Sequence, residues 1–219
     1  MSGILGENPV RIKICGLTRL EDIEAVNRFM PDYIGFVFAE SRRRAEPEQA
    51  KALKAMLDPD IQAVGVFVNE PVENIVELCK CGIIDVVQLH GDETRDTIEQ
   101  LKKLIDCPVV KAVRVRSAEQ ILEAEKLPCD MLLLDTYVKG QYGGSGASFD
   151  RRLIPELKKP FFLAGGLDEN NVLQAIEDCH PCCVDISSGA ELDGRKDAQK
   201  IKRLVELVHT GRSDSERKG

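Results

Sequence analysis

No stretch of the 219-residue chain approaches the ~20 consecutive apolar residues that a membrane helix needs. The opening, MSGILGENPVRIK, has neither a basic n-region nor an apolar h-region, so no secretory leader is expected and the expected compartment is the cytoplasm. Positive charge is in short supply: 30 Lys and Arg face 37 Asp and Glu, a net charge of -7 and the wrong sign for coating a phosphate backbone. Nucleic acid and membrane are therefore not expected partners. Histidine is scarce too, with three in the whole chain. Eight cysteines (15, 79, 81, 107, 129, 179, 182 and 183) lack an oxidising compartment to pair in and read mostly as small buried hydrophobes. Cys179-His180-Pro181-Cys182-Cys183 resembles a zinc half-site only superficially. No second pair with C-x2-C spacing exists, and Cys79 and Cys81 have the wrong gap. No structural zinc is expected.

What is present suffices for one sizeable core: 43% of residues are hydrophobic, with 17 Gly and 10 Pro. Residues 1–9 and 211–219 are small, polar and charged without apolar periodicity and are expected to be flexible ends. Between them no linker or low-complexity run interrupts residues 10–210, which read as one domain. Short runs rich in Val, Ile and Leu alternate there with segments of helical period, the signature of βα units with parallel strands. Eight runs can be counted: 10–15, 33–38, 63–68, 86–90, 109–115, 131–135, 161–164 and 184–187. The clearest helix is Asp197 to His209, where Ile201, Leu204, Val205 and Val208 share a face. Pro47 and Pro71 mark first helical turns, and Asp168 is placed as the N-cap of a helix over 171–176. Eight such units fit a single α/β domain of the (β/α)8, or TIM, barrel type near its lower size limit. The rival, an open doubly wound sheet, would normally follow its first strand with a Gly-rich dinucleotide turn. Here that turn reads Cys15-Gly16-Leu17-Thr18, which favours the barrel.

Barrel active sites lie at the carboxyl ends of the strands, so the last residues of each run are the candidates. They are Cys15, Asn69, Gln88 and His90, Asp135, Gly165 and Gly166, and Asp185 with Ser187, Ser188 and Gly189; Ser41 to Arg44 occupy the loop after the second strand. A Gly-Gly turn alone is weak, but beside Ser187-Ser188-Gly189 it matches the usual phosphate position, where backbone N–H groups point at the anion. Cys15 and Asp135 are the candidates for proton chemistry. A thiol and a carboxyl in one partly dry cleft can be tuned into base and acid, and a carboxylate closing an apolar strand pays a desolvation cost that a structural role seldom justifies. Arg42 to Arg44 read either as a solvated run or as a grip on an anionic group, and His90 as either structural or substrate-facing. Alternation puts Arg11, Lys13 and Cys15 on one face of the first strand and the isoleucines on the other. If the isoleucines meet the helices, Lys13 points inward. Asp185, on the neighbouring strand of a closed barrel, is its expected partner, and Lys13 is expected to favour the Cys15 thiolate.

The motifs Arg11-Ile-Lys-Ile-Cys-Gly-Leu-Thr18, Gly35-Phe-Val-Phe38 with Ser41 and Arg43, Val64-Gly-Val-Phe-Val-Asn69, Gln88-Leu-His-Gly91, Leu133-Leu-Asp-Thr136, Tyr142-Gly-Gly-Ser-Gly146, Leu163-Ala-Gly-Gly-Leu167 and Asp185-Ile-Ser-Ser-Gly189 stand in one order along the chain. In that order the sequence resembles the phosphoribosylanthranilate isomerases of tryptophan biosynthesis. The resemblance implies a metal-free and cofactor-free barrel that acts on the small molecule N-(5-phosphoribosyl)anthranilate by an Amadori rearrangement, as a monomer or homodimer. It implies Asp135 as general acid on the ring oxygen, Cys15 as general base on C2', Arg43 on the anthranilate carboxylate, and Gly165, Gly166, Ser187, Ser188 and Gly189 on the phosphate. Gln88, His90 and Asp185 complete the expected substrate-binding set. Two departures stand out: Arg151 where many relatives place Trp, in a chain with no Trp, and no Pro before Gly194. Another phosphosugar isomerase or epimerase on the same barrel is the first alternative. Metal-dependent epimerases, however, need His and carboxylate ligands at the strand ends. A non-catalytic phosphate-ligand sensor is the second.

Overall fold

The computed structural model describes residues 9–136 and 150–216, with side chains to residue 210. The Tyr142–Gly146 motif, the start expected to be flexible (1–8) and the final residues 217–219 lie outside the described residues. Apolar runs without alternation make strands buried on both faces. They form β1 (Arg11–Cys15), β2 (Tyr33–Val37), β3 (Gln62–Phe67), β4 (Val86–Leu89), β5 (Val109–Val115), β6 (Met131–Thr136), β7 (Phe161–Leu163) and β8 (Cys183–Ile186). All eight are parallel and close into one barrel in sequence order, β8 pairing back onto β1. Every strand begins and ends within one residue of the run expected for it.

The helices are α1 (Leu20–Phe29), α2 (Pro47–Lys54), α3 (Val72–Lys80), α4 (Arg95–Lys102), α5 (Ala118–Glu125), α6 (Val172–Cys179) and α7 (Ala198–Glu216). Pro47 takes the first turn of α2, where its missing N–H costs nothing, and Pro71 caps α3 one residue before its first turn. The Thr94 and Ser117 hydroxyls accept N–H groups three residues on, capping α4 and α5. Asp168 does not cap α6. Its carboxylate accepts the Asn170 N–H at 2.8 Å, making a turn of its own, and the cap falls on Asn171. Between β6 and β7 the described residues hold only a 3-10 turn, Arg151–Leu153. The last helix continues past residue 210, where the domain was expected to end.

Two apolar layers hold the barrel. Tyr33, Val64, Val86, Val110, Ala112, Leu133, Phe162, Ala164 and Cys183 fill the interior, while the opposite faces of the strands pack on the helices through residues such as Ile12, Ile14, Ile34, Phe67, Ile75, Leu134, Ile201 and Leu204. Each fully buried Val, Leu, Ile or Phe contributes about 1.5–3 kcal/mol. After β8 a 3-10 turn (Ser188–Ala190) leads into a hairpin of β9 (Glu191–Leu192) and β10 (Arg195–Lys196), joined by Asp193 and Gly194 with φ of 50° and 78°. Two positive φ values in a two-residue loop define a type I′ turn, which Asp-Gly suits.

Candidate active site

The interior layer is apolar up to the carboxyl end, where polar residues replace it on four strands. Lys13 (β1), Gln88 (β4), Asp135 (β6) and Asp185 (β8) all turn inward and are buried, as is His90 just after β4. They form one chain across the barrel. Lys13 and Asp185 are Cα partners in the β1/β8 register, and Lys13 Nζ lies 3.0 and 3.1 Å from the two carboxylate oxygens. The same ammonium donates to Gln88 Oε1 at 2.8 Å. Gln88 Nε2 stands 2.9 Å from His90 Nδ1, and His90 Nε2 stands 3.2 Å from Asp135 Oδ2. The polarity of the chain follows from its cationic end. An ammonium can only donate, so the Gln88 carbonyl faces it and the amide N–H faces His90. His90 Nδ1 must then accept, which leaves the ring proton on Nε2, aimed at Asp135. The other Asp135 oxygen accepts the Thr136 N–H at 2.7 Å.

Burial works against the Lys13 charge, but Asp185 and Cys15 beside it more than compensate, holding its pKa up at about 12. Lys13 is therefore a cation at neutral pH although it has no exposure of its own to water. Cys15 is pulled both ways. Burial pushes its pKa up by more than Lys13 and Lys196 pull it down, so the thiol titrates above its ordinary value. The expected Lys13–Asp185 pair is present, and Lys13 pulls the thiol toward thiolate as expected, but burial outweighs it. Nearness to a cation is legible from topology; the depth of desolvation is not.

Arg43 reaches over the end of β1 and is held by a residue that the sequence reading missed. Its Nε and one Nη meet the two oxygens of Glu191 at 2.6 and 3.1 Å. Glu191 also accepts from Arg42 at 2.6 Å and from Lys196 at 2.8 Å, and Lys196 donates to the Ser187 carbonyl at 2.9 Å. Burial disfavours the Glu191 carboxylate, but hydrogen bonds from Arg43 and Lys196 outweigh it and draw its pKa down to about 2. Burial likewise lowers Lys196, with Glu191 opposing it. The available signal for both residues was Asp193-Gly194, whose tight turn folds them back onto the barrel.

The turns after β7 and β8 meet at backbone distance. Gly165 and Gly166 both have positive φ, and a Cβ on Gly189 would lie 2.0 Å from the Leu167 carbonyl oxygen, so only glycine fits. Ser187 donates its hydroxyl to the Cys15 carbonyl at 3.2 Å, tying this turn to the strand that carries the thiol. Of the other cysteines, Cys183 lies inside the barrel and Cys129 is buried before β6; burial raises the pKa of both. Among the described residues no group of three or more His, Cys, Asp and Glu is placed to hold a metal ion.

The family model described as N-(5'phosphoribosyl)anthranilate (PRA) isomerase matches residues 12–207. A protein of Lachnoclostridium phytofermentans named N-(5'-phosphoribosyl)anthranilate isomerase is 46% identical over 209 residues, covering 90% of this chain and 96% of that protein. The crystal structure of phosphoribosyl anthranilate isomerase from Thermus thermophilus superposes with a TM-score of 0.81 at 32% identity, covering 93% of this chain and all of that one. A phosphoribosyl anthranilate isomerase in complex with reduced 1-(o-carboxyphenylamino)-1-deoxyribulose 5-phosphate matches with a TM-score of 0.76 at 33% identity, covering 92% of this chain and 99% of that one. A model match over most of the barrel, together with 46% identity to a relative covered over 96% of its length, places the chain in the N-(5'-phosphoribosyl)anthranilate isomerase family.

Proposed function

We propose that Asp135 and Cys15 are the acid and base of the reaction that defines this family, the isomerisation of N-(5'-phosphoribosyl)anthranilate to 1-(o-carboxyphenylamino)-1-deoxyribulose 5-phosphate in tryptophan biosynthesis. The observation that carries the assignment is the polar chain. It ends on Asp135 at the mouth of an otherwise apolar barrel, three strands around the closed sheet from Cys15. Asp135 gives a proton to the furanose ring oxygen as the C1'–O bond breaks and the aniline nitrogen lone pair forms an iminium. Cys15, as thiolate, then takes the C2' proton, and the electrons of that C–H bond neutralise the iminium to an enolamine. Tautomerisation yields the ketose. The iminium is its own electron sink, so the residues need only place and move protons. It also adds positive charge beside a thiol that burial raises and two ammonium groups lower, which favours the thiolate when it is needed.

Arg43 meets the anthranilate carboxylate, and the turns of Gly165, Gly166, Ser187, Ser188 and Gly189 receive the phosphate through backbone N–H groups. Gln88 and Asp185, both buried beneath the mouth, serve by orienting His90 and Lys13. The barrel acts as a monomer or a homodimer, and sedimentation of the protein at assay concentration distinguishes the two. The eight free thiols suit a reducing cytoplasm, and no described helix is long and apolar enough to cross a membrane. The fluorescence change on adding protein to substrate generated in situ tests the reaction. Turnover by the native chain and its loss in Cys15→Ser is the expected result.

A further inference from the structure

Arg43 is already ion-paired, although it is the residue that a substrate carboxylate would need. We infer that Glu191 is a positioning residue, which grips one edge of the Arg43 guanidinium so that its other edge is presented to the carboxylate of an aromatic substrate. The inference rests on the reading of Arg43 given above. A guanidinium carries five N–H donors in a planar fork. Glu191 occupies the edge made by Nε and one Nη, and among the described residues the other Nη meets no protein acceptor. The stem is fixed as well: it lies over Gly16, where a Cβ would come within 2.5 Å of Arg43 Cδ. Gly16 directly follows Cys15, so the Arg43 stem crosses the end of the strand that carries the thiol.

The alternative role for Glu191 is a latch that must let go before substrate enters. The surroundings of the carboxylate argue against release. Glu191 is buried and is shared among Arg42, Arg43 and Lys196. Its departure would strand the Lys196 ammonium, whose side chain is only 2% exposed. One carboxylate serving three cations also leaves two positive charges unbalanced within the cluster. The cluster therefore has room for an anion without Glu191 leaving, and the occupant that fits is a carboxylate bound side-on to the remaining edge of Arg43.

The test compares two ligands, reduced 1-(o-carboxyphenylamino)-1-deoxyribulose 5-phosphate and the same compound without its carboxylate, by titration calorimetry. In the native protein, removing the carboxylate should weaken binding on the order of 10- to 100-fold. In Glu191→Gln that ratio should fall to about threefold or less, while the decarboxylated ligand binds as before; KM should rise by about tenfold or more with kcat within about threefold. Glu191→Gln leaves Lys196 buried without its partner, so Glu191→Gln with Lys196→Met is measured beside it and should show the same loss of discrimination. An unchanged ratio in both variants overturns the inference, as does tighter binding of the carboxylated ligand, the mark of a latch. A native ratio near one overturns the reading of Arg43 and the inference with it, and Arg43→Ala with unaltered KM identifies that case.

Discussion

Replacing Lys13 by methionine removes a cation and leaves its partner in place. Lys13 has no exposure to water, and Asp185, 9% exposed, takes both of its ion-pair contacts from that ammonium. Gln88 loses the donor to its carbonyl at the same time. Breaking a buried pair by deleting one member costs about 3–5 kcal/mol, because the remaining charge keeps its desolvation penalty and loses its compensation. A domain of this kind has roughly 5–15 kcal/mol in total, so Lys13→Met consumes a large share of it. With a urea slope of about 2 kcal/mol per molar, the unfolding midpoint should drop by roughly 1.5–2.5 M. Lys13→Met combined with Asp185→Leu removes both charges and restores apolar volume, and should recover most of that loss. The assay is urea unfolding at pH 7 followed by circular dichroism on the native chain, both single variants and the double. A single variant within about 1 kcal/mol of native would refute the argument. So would a double variant whose loss equals the sum of the two singles, since that would mean that the charges do not depend on one another.

Cys15→Ser and Asp135→Asn should each lower kcat by about 10²-fold or more with an unchanged circular dichroism spectrum; near-native turnover in either removes that residue from proton transfer. The base must be deprotonated to act and burial raises its pKa above the ordinary thiol value of 9.0, so in Asp135→Asn, where the acid no longer titrates, the residual kcat/KM should keep climbing with pH through neutrality. A plateau already reached at pH 7 would contradict this. Glu191 has the opposite sign: its folded-state pKa of about 2 lies below the ordinary 4.5, so it stabilises the fold above pH 4.5 and that contribution fades as pH falls from 4.5 toward 2. The ceiling is about 3 kcal/mol, and comparing urea midpoints of native and Glu191→Gln protein at pH 6 and pH 3 should show the gap between them shrinking with acid.

The barrel was legible because parallel strands buried on both faces leave a strong mark: Leu132, Leu133 and Leu134 in β6, or Val109 and Val110 in β5, cannot sit on a wet edge. Helix starts were less so. Asp168 is a good capping residue by type, but Asn170 and Asn171 follow it, and a turn that satisfies Asp168 locally moves the cap to Asn171. The β9/β10 hairpin went unread for a different reason. Two-residue strands carry no alternation, so the Asp193-Gly194 turn is its only mark, and that dipeptide is as common in plain loops.

The candidate site divides along the same line. Lys13 and Asp185 could be paired from the alternation of β1 and the closure of β8 onto it, because strand periodicity and sheet order together decide which side chains meet. His90 was left open between two roles, since nothing in Gln88-Leu89-His90 shows which ring nitrogen accepts. Only the Lys13 ammonium on the far side of Gln88 decides that, and it comes from a residue 75 positions away. Glu191 and Lys196 needed the hairpin first, so the ion pair that holds Arg43 was invisible until that element was placed. What the sequence conveys is therefore each strand's inward-facing residues one at a time, while the polarity of the chain that joins them belongs to the closed barrel.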